Sequence, residues 1–216
     1  MEKNQMVKQE RAERTRESLV RAAAGEFARA GYEGTSLSRV ARAAGISIGA
    51  LTFHFPAKAN LAQAVRARGD AAVRARVAEA ADAATPPLDT VVALTLDLAR
   101  LLEDDEVARA AVRLWRELPD GDGTWTTLWL PAVTETLARA GRDGLDPAVS
   151  EHDVVLLAEY LVAGAESRLG GPLPGLPARG GDGDGDRDGG GDSVEQHLSR
   201  LWALVLPSLT GPPEAE

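Results

Sequence analysis

The run from Ser47 to Thr52 combines hydroxyl groups, methyl groups and a glycine, and none of its side chains is charged. Ser47 and Thr52 can exchange hydrogen bonds with the edges of DNA bases, while Ile48, Ala50 and the methyl group of Thr52 can contact thymine methyl groups. Gly49 allows a close approach because it has no side chain. These residues are therefore candidates for contacts with base edges in the major groove.

Four further polar residues lie on either side of this run and are candidates for phosphate contacts. Thr35, Ser36, His54 and Lys58 can all donate hydrogen bonds, and phosphates bind readily to such donors near helix N-termini. An alternative stays open for His54, which could instead pack against its own short helix and cap it.

Other kinds of chemistry have little support in the composition. The chain of 216 residues has no cysteine, which excludes disulfides, thiolate metal ligands and a thiol nucleophile. Its three histidines, His54, His152 and His197, do not have the spacing of two metal ligands on one helix. There is no Gly-rich phosphate-binding motif and no plausible Ser/His/Asp grouping. We therefore expect no enzyme activity, no cofactor and no metal site.

One acidic segment has the formal spacing of a calcium-binding EF-hand loop, from Asp184 to Glu195. Residues 177–181 before it do not predict an entering helix, and Gly191 stands where the loop normally has an apolar anchor. Residues 170–192 as a whole are rich in Gly, Pro and Asp without an apolar period, which is typical of a disordered insertion. We expect a solvated acidic loop rather than a calcium site.

The formal net charge of −9 is unevenly distributed along the chain. Residues 1–68 carry twelve Lys and Arg against six Glu, a net charge of +6, whereas residues 69–216 carry twelve basic against 27 acidic residues, a net charge of −15. A basic N-terminal part before an acidic body is typical of a protein with one end that meets phosphates. Chance clustering on a solvated helix is the alternative.

The sequence does not predict membrane insertion or export. It has no uncharged apolar run of 18 residues, and residues 1–5 do not begin a signal peptide. With 44% hydrophobic and 26% charged residues, the composition is that of a globular protein with a packed core. We expect a cytoplasmic protein that does not bind membranes.

The spacing of apolar residues is helical almost throughout and predicts an all-α protein. Ser36 or Thr35 and Ser47 are suitable N-caps for two short helices that Gly45 separates, and this arrangement predicts a helix-turn-helix. The predicted helices span about residues 10–30, 36–44, 48–54, 58–84, 88–103, 105–118, 124–141, 149–169 and 193–209.

The last two predicted helices are apolar nearly all round, as the runs 154–158 and 201–206 illustrate. One face of such a helix can meet the core, while another needs a second cover, which a dimer interface would supply. The alternative is that both are central core helices of a monomer.

The helix-turn-helix residues resemble the DNA-binding signature of the tetracycline-repressor (TetR) family of bacterial regulators. The resemblance is carried by residues 31–58, which read GYEGTSLSRVARAAGISIGALTFHFPAK. It implies nine helices, with a three-helix DNA-binding domain at residues 1–66 and a six-helix ligand-binding and dimerisation domain at residues 67–216. It further implies a homodimer built from the last two helices, double-stranded operator DNA as a partner, and release from that DNA by a small molecule.

Two positions depart from the pattern that many family members share. A lysine is common where this chain has Ile48, and a tyrosine is common where it has Thr52. The base contacts of relatives therefore do not transfer directly to this sequence.

A second segment is similar to the pocket region of the γ-butyrolactone receptor subgroup. Residues 123–137 read GTWTTLWLPAVTETL, and the resemblance implies that Trp129 contacts the signalling molecule. Subgroup members often have a threonine where this chain has Ala163, so an apolar lactone, butenolide, furan or antibiotic-like inducer is favoured over a polyhydroxylated one. The alternative is that Trp125 and Trp129 form a core stripe at helical spacing.

The remaining candidates for the pocket wall are apolar residues of the predicted body helices. They are Leu98, Leu102, Leu114, Trp115, Val133 and Leu161. A Trp indole supplies a flat wall and one N–H donor, which suits a small hydrophobic ligand with a carbonyl group. The sequence thus predicts a repressor that a small hydrophobic signalling molecule releases from a pseudo-palindromic operator, with a multidrug or antibiotic-sensing efflux repressor as the alternative.

Overall fold

A computed structural model describes residues 2–119, 123–140, 145–169 and 192–210, and every regular element in these ranges is helical. These ranges include one short 3₁₀ turn, at Trp125–Leu128. The nine α-helices of these ranges are α1 (Glu2–Ala30), α2 (Leu37–Ala43), α3 (Ile48–His54), α4 (Lys58–Asp82), α5 (Pro87–Asp104), α6 (Glu106–Glu117), α7 (Leu130–Ala140), α8 (Glu151–Leu169) and α9 (Val194–Leu209). The all-α prediction is confirmed. Most of the predicted acidic loop, residues 170–191, lies outside the described residues, together with the EF-hand-like positions from Asp184 to Asp188.

The contacts divide the chain into two compact units. The first comprises Met1–Ala75 with Asp105–Leu128, and the second comprises Arg76–Asp104 with Trp129–Glu216. The expected boundary at residue 66 differs from this division because α4 belongs to the first unit as far as Ala75. Helix α6 also belongs to the first unit, since it packs along α1.

The first unit is built on a core shared by α1, α2, α3, α4 and α6. Its fully buried members include Leu19 and Phe27 of α1, Leu51 of α3, Leu61 of α4 and Leu114 of α6. Burial of these side chains, together with Val40 of α2, removes much apolar surface of five helices from water, the main favourable contribution to folding. The helix-turn-helix therefore rests on α6 as well as on α1 and α4.

The caps of the two short helices are local and match the sequence expectation. The Ser36 hydroxyl accepts a hydrogen bond from the Arg39 amide, and the Ser47 hydroxyl accepts one from the Ala50 amide. Gly45 lies between these helices with φ of 68°, a conformation that residues with a side chain rarely adopt. The predicted N-caps Ser36 and Ser47 are confirmed.

Helices α4 and α6 cross closely at Gly69. A Cβ atom built at this glycine would lie 2.3 Å from the Cβ of Ala111 and 3.3 Å from the Val107 carbonyl oxygen. Only a residue without a side chain fits at this crossing.

In the second unit, α5 packs against α7, α8 and α9, and α8 also packs against α7 and α9. A buried polar contact lies among these helices. The Nε1 of Trp202 donates a hydrogen bond to Oγ1 of Thr95 at 2.8 Å, and the Thr95 hydroxyl donates to the Val92 carbonyl at 2.8 Å. The contact joins α9 to α5.

The single helix predicted for residues 124–141 is interrupted. A 3₁₀ turn ends at Leu128, and α7 begins at Leu130. Pro131 explains the break, because it has no backbone N–H and is tolerated only in the first turn of a helix. The buried residues of this segment are nevertheless those at the predicted spacing, namely Trp125, Trp129, Val133 and Leu137.

Among the described residues, no helix is long and apolar enough to cross a membrane. The same residues contain no group of three or more His, Cys, Asp or Glu side chains placed to hold a metal ion.

Candidate DNA-binding and ligand-binding sites

Helix α3 presents its N-terminal residues to solvent and anchors itself through one side chain. Ser47, Gly49 and Ala50 are exposed, and the side chain of Ile48 is 52% exposed. Leu51 is fully buried in the core of the first unit. The N-terminal residues of a recognition helix are those that reach base edges in the major groove, so the exposed set is the one such a role requires.

Thr52 is placed less favourably for a base contact. It is partly buried, and its hydroxyl donates a hydrogen bond to the Gly49 carbonyl oxygen at 3.2 Å. The hydroxyl keeps its capacity as an acceptor, while its methyl group remains available for an apolar contact.

Phe53 is a prominent surface residue that the sequence reasoning missed. Its side chain is 84% exposed and meets the His54 ring edge to face, with centroids 5.3 Å apart. Its position was predictable, because Leu51 and Phe55 lie four residues apart on the buried face of the segment. A residue midway between them must point to the opposite side of the helix.

The two hydroxyl residues before α2 have different environments. Thr35 is only 3% exposed, and its hydroxyl donates to the carbonyl oxygens of Gly31 at 2.7 Å and Glu26 at 3.1 Å. The hydroxyl closes the turn between α1 and α2. Because it is buried and already bonded there, Thr35 is no longer a candidate for a phosphate contact. Ser36 is exposed, with its oxygen 3.0 Å from the Ser38 hydroxyl, and stays a candidate.

Lys58, expected to contact phosphate, is also bound to the protein itself. Its Nζ donates a hydrogen bond to the Tyr32 carbonyl at 2.9 Å and lies 4.1 Å from the centroid of the Tyr32 ring. An ammonium group has three N–H bonds, so this contact leaves donors for a phosphate. Lys58 therefore also positions the start of α4 against the turn that precedes α2.

Tyr32 is further held by the end of α6. Its amide donates a hydrogen bond to the Glu117 carboxylate, which also accepts one from Nε of Arg113 at 2.7 Å. Arg113 in turn donates to the Ala28 carbonyl in the last turn of α1 at 2.8 Å. Two charged side chains of α6 thus bind the backbone on both sides of the α1 C-terminus.

The electrostatics of Glu117 follow from these contacts. Partial burial raises the pKa of its carboxyl group, but the hydrogen bonds from Arg113 and the Tyr32 amide, with the charges of Arg113 and Arg116, outweigh that effect. The pKa of Glu117 is consequently lowered below its ordinary value, and the group is ionised at neutral pH.

Trp115 and Leu114, predicted to line a ligand pocket, lie within the first unit. The Trp115 Nε1 donates to Oδ1 of Asp70 at 2.9 Å, and the Arg66 guanidinium lies 3.7 Å from the centroid of the indole ring. Leu114 is buried in the core that α1 and α3 share. The helical period of α6 could not reveal which neighbours it would meet, and we omit both residues from the ligand site.

The remaining pocket candidates belong to the second unit. Leu98, Leu102, Trp129 and Val133 are buried, and Leu161 is partly buried. These residues lie on or beside α5, α7 and α8, which pack against one another. Ala163, aligned with the subgroup's threonine and predicted to line the pocket, is exposed on α8 and lies outside this buried set.

The letters Gly45-Ile46-Ser47-Ile48-Gly49 also match the Gly-x-Ser-x-Gly pattern of a hydrolase nucleophile elbow, which sequence reasoning overlooked. That elbow needs a strand before the serine and a helix after it. Here Ser47 follows a helix and caps another, and its hydroxyl accepts from the Ala50 amide at 3.2 Å. The motif is therefore part of the helix-turn-helix.

The sequence is similar to a known family in its N-terminal part and to a known protein over most of its length. Residues 19–65 match the family model described as bacterial regulatory proteins of the tetR family. The A-factor receptor protein of Streptomyces griseus is 28% identical over 214 residues, which span 96% of this chain and 68% of that protein. These matches agree with the resemblance of residues 31–58.

Solved structures give the same relationship. A crystal structure of a gamma-butyrolactone receptor, an ArpA-like protein, has a TM-score of 0.68 at 28% identity and covers 93% of this chain and 90% of that chain. CprB from Streptomyces coelicolor, solved in complex with its biological operator sequence, has a TM-score of 0.67 at 26% identity with the same two coverages. The chain is thus similar in fold to a receptor and to a DNA-bound regulator.

Proposed function

Because residues 19–65 belong to the TetR family of bacterial regulatory proteins, we propose that this protein is a transcriptional repressor released from its operator by a small hydrophobic molecule. The observation that carries the proposal is the recognition helix itself. Ser47, Ile48, Gly49 and Ala50 are exposed together, while Leu51 fixes the helix in the core of the first unit.

We propose that the protein binds DNA as a homodimer. Tyr160 on α8 and Leu201 and Leu204 on α9 are exposed, Leu204 by 74%. A second copy would remove these large apolar side chains from water, as homodimer interfaces do. Two recognition helices in such a dimer would read half-sites about 34 to 36 Å apart, one turn of B-DNA, which makes the operator pseudo-palindromic. A repressor of this kind acts where the chromosome is, and we place it in the cytoplasm.

The inducer is proposed to bind among the apolar residues of the second unit. Leu98, Leu102, Trp129, Val133 and Leu161 form the lining, and Trp129 supplies the flat aromatic wall. The similarity to the A-factor receptor protein and to gamma-butyrolactone receptors supports a butyrolactone, butenolide or furan as the class of ligand. Release requires that the ligand favour the state that does not bind DNA, by about 1 to 3 kcal/mol for typical coupling.

The test begins with genomic DNA fragments that the purified protein selects. A shared pseudo-palindrome among the fragments is the expected result, with affinity that falls steeply as salt is added. Adding γ-butyrolactones, butenolides and alkyl furans one by one should then release the selected duplex. Failure to retain any duplex at low salt would refute the repressor assignment, and release by none of these compounds would refute the ligand class alone.

A further inference from the structure

We propose that Arg11 and Arg14 of α1 form a cleft that binds phosphates of the DNA backbone outside the bases read by α3. The role rests on the proposed function and extends it, because it lengthens the stretch of DNA that each protomer contacts. The partner is the backbone of the same operator duplex.

The cleft lies where α1 passes the turn between α2 and α3. It has a volume of about 260 Å³, and fully buried Leu19 belongs to its lining. The other lining residues are Arg11, Arg14, Thr15 and Ser18 of α1 and Ala44 and Ile46 of the turn. Two guanidinium groups and two hydroxyl residues thus share one concave surface.

The periodicity of α1 separates its charges into two faces. Arg11, Arg14 and Ser18 fall at i, i+3 and i+7, the spacing of residues on one side of a helix. Glu13 and Glu17 lie instead along a different cleft, which α1 shares with α4 and α6. Glu10, which precedes Arg11, does not line the arginine cleft either, so none of the three carboxylates nearest in sequence belongs to its lining.

Both arginines are available for a partner. Arg11 and Arg14 are exposed, and neither forms an ion pair with another described residue. A guanidinium group offers planar, paired donors that match the oxygens of a phosphate. The cleft is thus lined by two guanidinium groups and two hydroxyls and by no carboxylate. Such a set of positively charged donors is complementary to the negative charges of a polyanion.

The position of the cleft relative to α3 identifies the polyanion. Ile46 belongs to the cleft, and the next residue is Ser47, the N-cap of the recognition helix. A duplex whose bases meet Ser47 to Ala50 must carry its backbone past this turn. Half or more of the hydrogen bonds in protein–DNA complexes go to phosphates and sugars, and they fix the register of the protein on the duplex.

The test compares two duplexes built on the selected pseudo-palindrome, one cut at its outer bases and one extended by about half a turn on each side. The wild type should prefer the extended duplex, and each phosphate contact contributes about 0.9 to the slope of log affinity against log salt. The Arg11→Gln/Arg14→Gln double variant should lose that preference and show a slope shallower by about 2 to 4 per dimer. Its choice among base sequences should not change.

The matched control removes two exposed arginines elsewhere in the first unit, in the Arg21→Gln/Arg74→Gln double variant. It should keep the preference for the extended duplex, and Arg11→Lys/Arg14→Lys should restore most of it. Thermal melts establish that every variant is folded. The cleft proposal is overturned if the Arg11/Arg14 variant keeps the wild-type preference and slope, or if the control loses them equally.

Two further outcomes distinguish a wrong assignment of the cleft from a wrong assignment of the protein's function. If millimolar inorganic phosphate stabilises the wild type but not the double variant while the flanks have no effect, the cleft binds a free anion and the DNA assignment is wrong. If the wild type retains no duplex at all, the proposed repressor function fails together with this role.

Discussion

The backbone amide of Tyr32 donates a hydrogen bond to the carboxylate of Glu117, 85 residues later in the chain. The contact fixes the corner between α1 and α2 to the last turn of α6. Gly31 makes it possible, because a Cβ atom at this glycine would lie 2.5 Å from the Glu117 carboxylate. The orientation of the helix-turn-helix therefore depends on a helix that is distant in sequence.

Replacing Glu117 by Gln should reduce the free energy of unfolding by about 1 kcal/mol at neutral pH, because a charged acceptor becomes neutral at a partly exposed site. The folded-state pKa of Glu117 is lowered, so its contribution is present above the unfolded-state pKa and is lost as pH falls through the folded-state value. Urea denaturation at a series of acidic pH values should show wild type and variant converging. A difference in stability that stays constant as the pH falls would contradict the assignment. Glu79→Gln, which removes an exposed carboxylate paired with Arg76, serves as control.

Gly31→Ala should destabilise the protein more than Gly45→Ala. Both glycines have positive φ, 71° and 68°, so each variant pays about 1 to 2 kcal/mol of backbone strain. Only Gly31 also has the Glu117 and Arg113 side chains within 3 Å of the added Cβ, whereas Gly45 has nothing within 4 Å. Equal shifts in chemical denaturation would argue against the close contact at Gly31.

Gly49→Ala should weaken operator binding without loss of stability. The added methyl group meets no atom closer than 4.0 Å, and alanine favours a helix over glycine by about 1 kcal/mol. On the DNA, the same methyl group would hold the helix away from the base edges. A variant that melts at or above the wild-type temperature but binds the selected duplex at least tenfold more weakly is the expected result. Unchanged affinity would remove Gly49 from the DNA contact.

Phe53→Ala should fold normally, because the side chain is exposed, and should lower operator affinity if Phe53 faces the duplex. The matched variant is Phe55→Ala, which empties a buried position and should cost about 3 to 5 kcal/mol of stability. Thermal melts and gel-shift titrations on both variants give the comparison. Wild-type affinity in a folded Phe53→Ala protein would exclude this residue from the interface.

Trp129→Phe tests the ligand site more cleanly than truncation to alanine, because Trp129 is fully buried and its loss would open a cavity. The variant keeps an aromatic wall and removes the N–H donor. Release of the operator should then need about 5- to 100-fold more inducer, the equivalent of one lost hydrogen bond. Trp202→Phe is the control: it loses the hydrogen bond to Thr95 and should lower the melting temperature without changing the response to inducer.

Local features of the fold could be predicted from the sequence. The caps at Ser36 and Ser47 are hydrogen bonds within four residues, so the local pattern contains all that determines them. The burial of Trp129, Val133 and Leu137 likewise follows from one helical period.

Tertiary placement could not be predicted in this way. The periodicity of α6 marks Leu114 as buried but does not say that it packs with α1 rather than in a ligand pocket. The sequence predicts Thr35 as an exposed donor, because it does not show that the fold places the carbonyl oxygens of Gly31 and Glu26 within hydrogen-bond distance of its hydroxyl. Lys58 likewise reads as a free cation until the fold brings Tyr32 beside it.

The hydrogen bond between Trp202 and Thr95 fixes the rotation of α9 about its own axis. Turning the helix by one residue would withdraw the indole from Thr95 and leave its buried Nε1 donor without a partner, whereas the Thr95 hydroxyl would keep its hydrogen bond to the Val92 carbonyl. The outward direction of Leu201 and Leu204 is consequently set within a single protomer. A second copy would meet a surface that is already ordered, and the free energy of association would not be reduced by the entropy cost of ordering it.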